Sequence, residues 1–312
     1  MLEEQRNVWN LKDLLNGNYA DKDLCYSISN RLDKTGIYYR VFSRVKSFES
    51  TFQKLQEKRE KYENRGKGMQ DIIGVRVVLY FYDDIPICKQ ILSKAFKLIE
   101  EDSEEDIPKA ENFEPVRKNY VFCLPQEIID RFPAELWRDY NIEKTFELQL
   151  RTIFSEGWYE VEHDIRYKHQ EEWRGDDYYK YHRGLSSINA TLEICDHEIV
   201  RNLEDLAFDC YKKRQIRQML RYKLRIHLLD ETISEEIIKI ISDSQDILDA
   251  LYRLNRETVL CILAEPEMIS FPRTMENIIK LCNKLYIHDK QIDELTPNKL
   301  SNKIYKGMQR VI

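Results

Sequence analysis

A nearly continuous apolar run, residues 72–82, is the feature that most constrains the fold. Its residues, Ile-Ile-Gly-Val-Arg-Val-Val-Leu-Tyr-Phe-Tyr, are mostly β-branched or aromatic, and strands that are apolar along their whole length are covered on both faces. We therefore predict a central buried strand. Further strands are predicted at 38–42, 120–124 and 145–151, separated by segments with helical spacing. This alternation predicts an α/β or α+β core of roughly 180 residues.

The rest of the chain is predicted to be helical. Nine glycines and eight prolines in 312 residues leave few tight turns, which favours helices over an all-β fold. From about residue 155 onward the apolar spacing is helical throughout. We predict a first domain of residues 1–208 and a helical C-terminal module of residues 209–312.

Composition argues against several classes of protein. No run of 18 apolar residues occurs, so no membrane span and no membrane partner are predicted. The N-terminus lacks the basic and then apolar pattern of a signal peptide. The seven cysteines are odd in number and include no Cys-x-x-Cys pair, which is typical of reduced thiols in a cytoplasmic protein. A net charge of −6 argues against nonspecific coating of nucleic acid.

Polar side chains alternate along the strand predicted at 145–151. Glu147, Gln149 and Arg151 fall on one face of it, which makes that face suited to a polar ligand. A half-buried edge strand with a solvated outer face would show the same alternation. The helix predicted after this strand carries two pairs at i, i+4 spacing: Trp158 with Glu162, and His163 with Tyr167.

A second polar group opens the helix predicted after the first strand. Lys46, Ser50 and Lys54 are four residues apart, so they would share one face of that helix near its N-terminal end. Together with Arg44 they could hold a polyphosphate, aided by unpaired backbone N–H groups at the helix start. A solvated lysine-rich face would have the same spacing.

Three charged residues lie in or next to the predicted strands. Asp71 stands immediately before the central strand, where an acid is a natural Mg²⁺ ligand because the strand fixes it beside the crevice at the sheet end. An ordinary turn acid is the alternative. Arg76 lies inside the apolar run, and a buried guanidinium needs an anionic partner. Glu147 on another strand could share the metal or take a proton from an attacking hydroxyl.

Taken together, these residues resemble the synthetase domain of RelA/SpoT-type alarmone synthetases over about residues 25–205. Four motifs carry the resemblance, in this order: Arg44-x-Lys46-x3-Ser50-x3-Lys54, Asp71-Ile-Ile-Gly-Val-Arg76, Glu147-x-Gln149-x-Arg151-Thr152 and Trp158-x3-Glu162-His163-x3-Tyr167-Lys168. The resemblance implies an α+β fold with a mixed five-stranded sheet flanked by helices, akin to nucleotidyltransferases. It also implies Mg²⁺-dependent transfer of pyrophosphate from ATP to the 3′-hydroxyl of a guanosine nucleotide, GDP or GTP.

The resemblance further implies a role for each motif residue. Asp71 would bind Mg²⁺, and Glu147 would share the metal or activate the acceptor hydroxyl. The residues implied to bind the ATP donor are Arg44, Lys46, Ser50, Lys54 and Arg76. Those implied to shape or brace the acceptor end are Gln149, Arg151, His163, Tyr167 and Lys168.

One segment departs from the family pattern. The family carries Gly-Tyr-x-Ser-x-His at the entrance to the third strand, where its Tyr stacks on the acceptor guanine. Residues 112–124 of this chain instead read Asn-Phe-Glu-Pro-Val-Arg-Lys-Asn-Tyr-Val-Phe-Cys-Leu. Aromatic or phosphate contacts could come from five other side chains, although the motif does not imply them: Phe113, Tyr120, Lys109, Arg117 and Lys118. The acceptor is therefore less constrained than the reaction.

Three functions stay open for this reason. The chain uses GDP or GTP through a different platform, or it pyrophosphorylates an adenosine nucleotide or a tRNA 3′ end, as toxin-like relatives do. Alternatively, it is a non-catalytic nucleotide-binding regulatory module, which the retention of Asp71 and Glu147 disfavours.

Two statements about partners follow from other parts of the chain. The stretch from Lys212 to Arg225 holds seven basic residues and no acid, so it could contact tRNA phosphates. A solvated basic face, or one paired with acids elsewhere in the chain, is the commoner meaning of such a pattern. Short relatives form homotetramers, so a homo-oligomer is a further prediction.

Overall fold

The structure is a computed structural model that describes residues 11–12, 15, 19–57, 67–106, 118–169 and 171–311, except for the side chains of Tyr167 and Asp176. The chain divides into two compact units. The first consists of Met1–Ser29, Tyr39–Leu79 and Leu92–Leu192, and the second of Asn30–Tyr38, Tyr80–Ile91 and Glu193–Ile312. The second unit therefore includes two short segments from within the predicted first domain. The boundary predicted between residues 208 and 209 stays a prediction.

The first unit is built on a mixed sheet of five strands in the order β1-β2-β5-β4-β3. The strands are β1 (Tyr39–Val45), β2 (Ile73–Leu79), β3 (Leu98–Glu105), β4 (Lys118–Cys123) and β5 (Thr145–Thr152). Strands β2 and β5 are parallel, and the other three pairings are antiparallel. The predicted α+β class with a mixed five-stranded sheet is confirmed. Strand β5 lies at the centre, so its polar alternation is not that of an edge strand.

The described residues also form a series of helices. The earlier helices are α1 (Ala20–Thr35), α2 (Phe48–Glu57), α3 (Asp84–Ala95), α4 (Gln126–Ile129), α5 (Ala134–Asp139), α6 (Ile153–Ile165) and α7 (Tyr179–Lys212). The later helices are α8 (Ile216–Leu224), α9 (Glu235–Asp243), α10 (Gln245–Tyr252), α11 (Arg256–Ala264), α12 (Met275–Cys282), α13 (Lys290–Glu294) and α14 (Asn298–Met308). The helical C-terminal region that the sequence predicts is present.

Several predicted elements need correction. The segment between the strands predicted at 72–82 and 120–124 is helical only to Ala95, and the acid-rich stretch after it forms β3. The segment between the strands predicted at 120–124 and 145–151 forms two short helices, α4 and α5. Helix α2 begins at Phe48, so Lys46 precedes the helix instead of lying on its face. Residue Tyr167 belongs to a short 3₁₀ segment after α6.

The two faces of the sheet differ in chemistry because side chains alternate along each strand. One face is apolar, and its aromatic core contains Phe122 stacked on Phe146 with ring centroids 5.4 Å apart. Phe96 meets the ring of Phe146 edge-on, also at 5.4 Å. Burial of these rings stabilises the sheet from one side. The next residue along a strand points to the opposite face, as Glu147 does after Phe146 on β5.

The second unit is helical apart from its turns and contains a buried ion pair. Asp84 is fully buried, and its Oδ1 lies 2.6 Å from Nη1 of Arg256, which is itself buried. Each of the two side chains offsets the charge of the other, and leaving either one buried without its partner would cost free energy. All seven cysteines are free thiols. None of the helices described is long and apolar enough to cross a membrane.

Candidate active site

A pocket of about 450 Å³ lies on the polar face of the sheet. Three strands contribute alternate residues to it: Phe42 and Arg44 from β1, Gly74 and Arg76 from β2, Glu147 and Gln149 from β5. Lys46 and Asp71 line it next to the strand ends, and Glu156 and Glu160 line it from α6. The pocket therefore joins residues that are more than 100 positions apart in the sequence.

Strand register explains why these side chains meet. Arg44 pairs with Gly74, and Gly74 pairs with Glu147, so the three residues form one row across the sheet. Residues paired in this way lie on the same face. Phe42, Arg76 and Gln149 form the next row. The second row continues to Asn119 of β4.

Two lysines hold the carboxylate of Asp71. Lys46 Nζ donates to Asp71 Oδ2 at 2.8 Å, and Lys54 Nζ donates to the same oxygen at 2.6 Å. The backbone places both lysines, because Lys46 N–H donates to Ile72 O at 2.8 Å and Lys54 lies in α2. The other carboxylate oxygen, Asp71 Oδ1, is buried and has no hydrogen-bond partner among the residues that the structure describes. A buried oxygen of this kind is suited to a cation.

Asp71 and Glu147 titrate in opposite directions. Burial alone would raise the pKa of Asp71, but the charges and hydrogen bonds of Lys46 and Lys54 hold it below its usual value. Burial raises the pKa of Glu147, and the nearby charge of Asp71 raises it further. Gln149 Nε2 donates to Glu147 Oε2 at 3.3 Å. The pKa values of the two neighbouring carboxyl groups are therefore shifted apart, which suits an acid–base pair.

These two carboxylates are also the residues that could hold a divalent metal ion. Carboxylate oxygens are the ligands that Mg²⁺ prefers, and Mg²⁺ commonly takes one or two of them together with substrate phosphates. No group of three or more His, Cys, Asp or Glu side chains that could hold a metal occurs among the described residues.

The anionic partners predicted for Arg76 come from α6. Arg76 Nη1 donates to Glu156 Oε1 at 2.7 Å and also contacts Glu160 Oε1. Arg76 Nε donates to Gln149 Oε1 at 3.0 Å. By contrast, the exposed guanidinium of Arg44 has no ion pair within the described chain. The positive charge of Arg44 is therefore not offset by an acid of the described chain, whereas that of Arg76 is.

Arg151 lies next to the pocket on the same face of β5, but it is buried. Its Nη2 donates to Asn119 Oδ1 at 3.0 Å, and its Cζ lies 5.4 Å from the centroid of the Tyr159 ring. Burial and the neighbouring charge of Arg76 lower its pKa. The predicted shared face of Glu147, Gln149 and Arg151 is confirmed, whereas a direct contact from Arg151 to the acceptor stays a prediction.

Four other predicted site residues lie outside the pocket. Ser50 is exposed on α2, where its Oγ is 3.2 Å from Ser47 Oγ. His163 and Lys168 both contact Asp164 Oδ1, at 3.1 and 2.7 Å, on the outer side of α6. Lys118 lies opposite Glu105 in the register of β4 and β3. Their roles in binding stay predictions.

Tyr120 requires a correction. It pairs with Leu148, so it lies on the apolar face of the sheet, and it is 1% exposed. Its ring is part of the core and does not reach the pocket. The side chain of Tyr167 and the alternatives Lys109, Phe113 and Arg117 lie outside the described residues.

The basic stretch from Lys212 to Arg225 is largely paired with acids in the second unit. Four of its seven cations form ion pairs there: Lys212 with Asp209, Arg221 with Glu231, Lys223 with Glu204, and Arg225 with Asp83 and Glu204. Arg214 donates to Gln245 Oε1 at 2.6 Å. This pairing is the commoner of the two interpretations, and it leaves fewer charges for RNA phosphates.

The structure adds pocket residues that the sequence did not indicate. Phe42 is 54% exposed, so an aromatic face is open to the pocket. Glu156 and Glu160 occupy positions on an amphipathic helix that usually face solvent. Their i, i+4 spacing was a usable signal, because two acids one turn apart could have been matched to the buried Arg76.

Gly74 keeps the centre of the pocket open, and a larger residue there is expected to close it. A Cβ at Gly74 would meet nothing within 4 Å, so Gly74→Val is expected to fold normally. Its branched side chain would occupy the space between Arg44 and Glu147. If ATP binds in this pocket, as the family resemblance implies, the substitution would weaken that binding by roughly tenfold or more. Calorimetric titration with ATP measures this. Gly184→Val on α7, where a Cβ is equally unhindered, should bind normally; equal affinity for both variants would contradict the assignment.

Comparison with known proteins finds a family model that matches part of the chain. Residues 43–172 match the family model described as a region found in RelA / SpoT proteins. No curated protein matches. Among solved structures, small alarmone synthetase 1 of Bacillus subtilis bound to its product pppGpp is 22% identical, with 58% of this chain and 89% of that one covered and a TM-score of 0.43. Small alarmone synthetase 2 of Bacillus subtilis is 22% identical, with 63% of this chain and 96% of that one covered and a TM-score of 0.44. A GTP pyrophosphokinase family protein of Streptococcus pneumoniae is 21% identical, with 59% of this chain and 88% of that one covered and a TM-score of 0.43.

The first unit is an α+β domain whose mixed sheet carries a pocket of paired acids and cations. The matched region spans β1 to α6 and contains every strand of that sheet except the first residues of β1. The chain therefore carries a RelA/SpoT-family domain.

Proposed function

We propose that this protein is a pyrophosphokinase that transfers the pyrophosphate of ATP to the 3′-hydroxyl of a guanosine nucleotide, GDP or GTP. The observation that carries the proposal is the environment of Asp71. Two lysines contact one of its oxygens, the other oxygen is buried with no partner in the described part of the chain, and Glu147 lines the same pocket. Enzymes that transfer phosphoryl-type groups use such an arrangement of cations and carboxylates to bind an anionic ligand and a metal ion.

The reaction mainly requires positioning and charge neutralisation, and the pocket supplies both. Arg44, Lys46 and Lys54 would offset the negative charge of the polyphosphate. Asp71 and Glu147 would hold Mg²⁺, which when bound neutralises phosphate charge. Glu147 would accept the proton of the acceptor hydroxyl, since its raised pKa suits a general base. Gln149 would orient Glu147 through the hydrogen bond between them.

Two further aspects belong to the same proposal. Arg76 contacts the bound nucleotide, because it lines the pocket between Phe42 and Gln149. We expect a cytoplasmic protein whose partners are nucleotides. Contact with tRNA through the stretch from Lys212 to Arg225 is a further possibility, which an assay with tRNA as the acceptor would test. A homo-oligomer is another, which a measurement of molecular mass would test.

Incubation of the purified protein with γ-labelled ATP and Mg²⁺ tests the proposal. GDP, GTP, AMP, ADP and bulk tRNA are supplied in separate reactions. Label on GDP or GTP is the expected result. Label on an adenosine nucleotide or on tRNA would keep the reaction class and replace the acceptor. Tight ATP binding without a labelled product from any acceptor would favour the non-catalytic nucleotide-binding module instead.

A further inference from the structure

The guanidinium of Arg76 is held by two carboxylates that project from α6. Glu156 Oε1 accepts from Arg76 Nη1 at 2.7 Å, and Glu160 Oε1 contacts the same nitrogen. Gln149 Oε1 accepts from Arg76 Nε at 3.0 Å. These contacts engage two different nitrogens of a planar group, so they fix its orientation as well as its position.

An aromatic ring of the same helix completes this arrangement. The Cζ atom of Arg76 lies 5.1 Å from the centroid of the Tyr159 ring, within cation–π range. Glu156, Tyr159 and Glu160 have i, i+3 and i+4 spacing, which places all three on one side of α6. The capping box between Thr152 and Ser155 starts the helix directly after β5, and so sets which side faces the sheet. We call these three residues the α6 clamp.

The α6 clamp provides more negative charge than one guanidinium needs. Burial alone would lower the pKa of Arg76, but hydrogen bonds and charges from Glu156 and Glu160 raise it. Arg76 Nη2 has no hydrogen bond or ion pair within the described residues. Glu156 Oε2 is likewise buried without a hydrogen bond. The acids of the clamp therefore hold Nη1 of Arg76, and Nη2 keeps its donor capacity.

We propose that Glu156, Tyr159 and Glu160 are positioning residues that hold Arg76 in the orientation that contacts the bound nucleotide. The inference rests on the proposed function only in that a nucleotide occupies the pocket. Glu156 should contribute more than Glu160 to holding Arg76. The side chain of Glu156 is 17% exposed and that of Glu160 is 54% exposed, and water screens an exposed ion pair.

The test measures ATP affinity separately from turnover. Calorimetric titration of wild type, Glu156→Gln, Glu160→Gln and Tyr159→Leu with Mg²⁺ and ATP gives Kd, and the labelled-ATP assay gives KM and kcat. Loss of the half-buried charge at Glu156 is expected to raise Kd and KM for ATP by roughly tenfold. Glu160→Gln is expected to raise them by about threefold. For both, kcat should stay within about twofold, because the clamp acts on binding.

Conservative variants separate positioning from a general loss of structure. Glu156→Asp, which keeps the charge, and Tyr159→Phe, which keeps the ring, should restore most of the ATP affinity. Glu198→Gln is the matched control, because it removes a glutamate that pairs with Arg201 on α7, and it should bind ATP normally. If Glu156→Gln does not fold, the exposed Glu160→Gln and the pair Tyr159→Leu and Tyr159→Phe decide the question.

Two results would overturn the inference. Unchanged Kd in the folded clamp variants would mean that Arg76 needs no support from α6. Tighter ATP binding would mean that the acids compete with the nucleotide for Arg76. Failure of the proposed function gives a different pattern: wild type would form no labelled product, while the clamp variants would still weaken ATP binding.

Discussion

Asp71→Asn is expected to abolish pyrophosphate transfer, with a loss of at least about a thousandfold. Asparagine keeps the size of the side chain but removes the charge that sits between Lys46 and Lys54. It also replaces the buried oxygen that has no partner with a group that binds cations poorly. The measurement is product formation from γ-labelled ATP at saturating Mg²⁺ and acceptor. Activity above about a tenth of wild type would show that Asp71 has no such role.

The same variant should be less stable at neutral pH. The pKa of Asp71 in the folded protein lies below its usual value, so its stabilising contribution is present above the pKa of the unfolded chain. That contribution is lost as the pH falls through the folded-state pKa. We expect Asp71→Asn to lower the free energy of unfolding by about 1–3 kcal/mol at pH 7. The difference should shrink below about pH 3, which urea unfolding at both pH values checks.

Asp102→Asn is the matched control for both effects. Asp102 also accepts from a lysine, Lys67 at 2.8 Å, and from Gln70 at 2.6 Å, and these hydrogen bonds hold its pKa low although burial acts against them. It does not line the pocket. Asp102→Asn should therefore keep its transfer activity. Equal inactivation of both variants would mean that the loss comes from the fold and not from the site.

The sequence predicts the parts of the fold that depend on local patterns. The apolar run at 72–82 contains β2, and the alternation at 145–151 places Glu147 and Gln149 on one face of β5. It does not predict β3, because Leu98–Glu105 is acid-rich and has no alternation typical of a strand. Pairing with β4 along one edge stabilises that segment, and this is a tertiary effect that overrides propensity.

The candidate site shows the same division. Lys46 and Lys54 were predicted to act together, and they do contact one carboxylate, although the helix that was expected to align them begins after Lys46. Tyr120 was chosen as an aromatic side chain near the acceptor, yet strand register turns it into the core. A shift of one residue along a strand reverses the face. The register of β4 is set by its neighbours, so residue type alone could not indicate it.

Glu147→Gln is also expected to abolish transfer, by about a hundredfold to ten-thousandfold, and yet to stabilise the fold. The pKa of Glu147 is raised by burial and by the charge of Asp71, so ionisation is less favourable in the folded protein than in the unfolded chain. Below the unfolded pKa, about 4.3, both states are protonated and this cost is absent. As the pH rises, Glu147 ionises first in the unfolded chain, so the folded protein loses stability relative to it. Above the pKa of the folded protein, this loss of stability is constant. Glutamine does not ionise, so the variant does not lose this stability.

Thermal unfolding of Glu147→Gln and wild type at pH 7 and at about pH 4 measures this difference. Tm of the variant should exceed that of wild type at pH 7, and the two should converge at the lower pH. Glu135→Gln, an exposed position on α5, should change neither Tm nor transfer. A lower Tm for Glu147→Gln at pH 7 would contradict the assigned effect of burial.

Asp71→Asn and Glu147→Gln are expected to change stability in opposite directions. Together they therefore distinguish a catalytic role of the two carboxylates from a loss of folded structure. Asp71 is stabilised as an anion by Lys46 and Lys54, whereas Glu147 is destabilised as an anion by burial and by Asp71. If Asp71→Asn lowers stability, Glu147→Gln raises it, and both remove transfer, then no shared loss of structure explains the inactivity. The remaining explanation is that the two carboxylates act together on the reacting groups, which is the arrangement that metal-assisted pyrophosphate transfer requires.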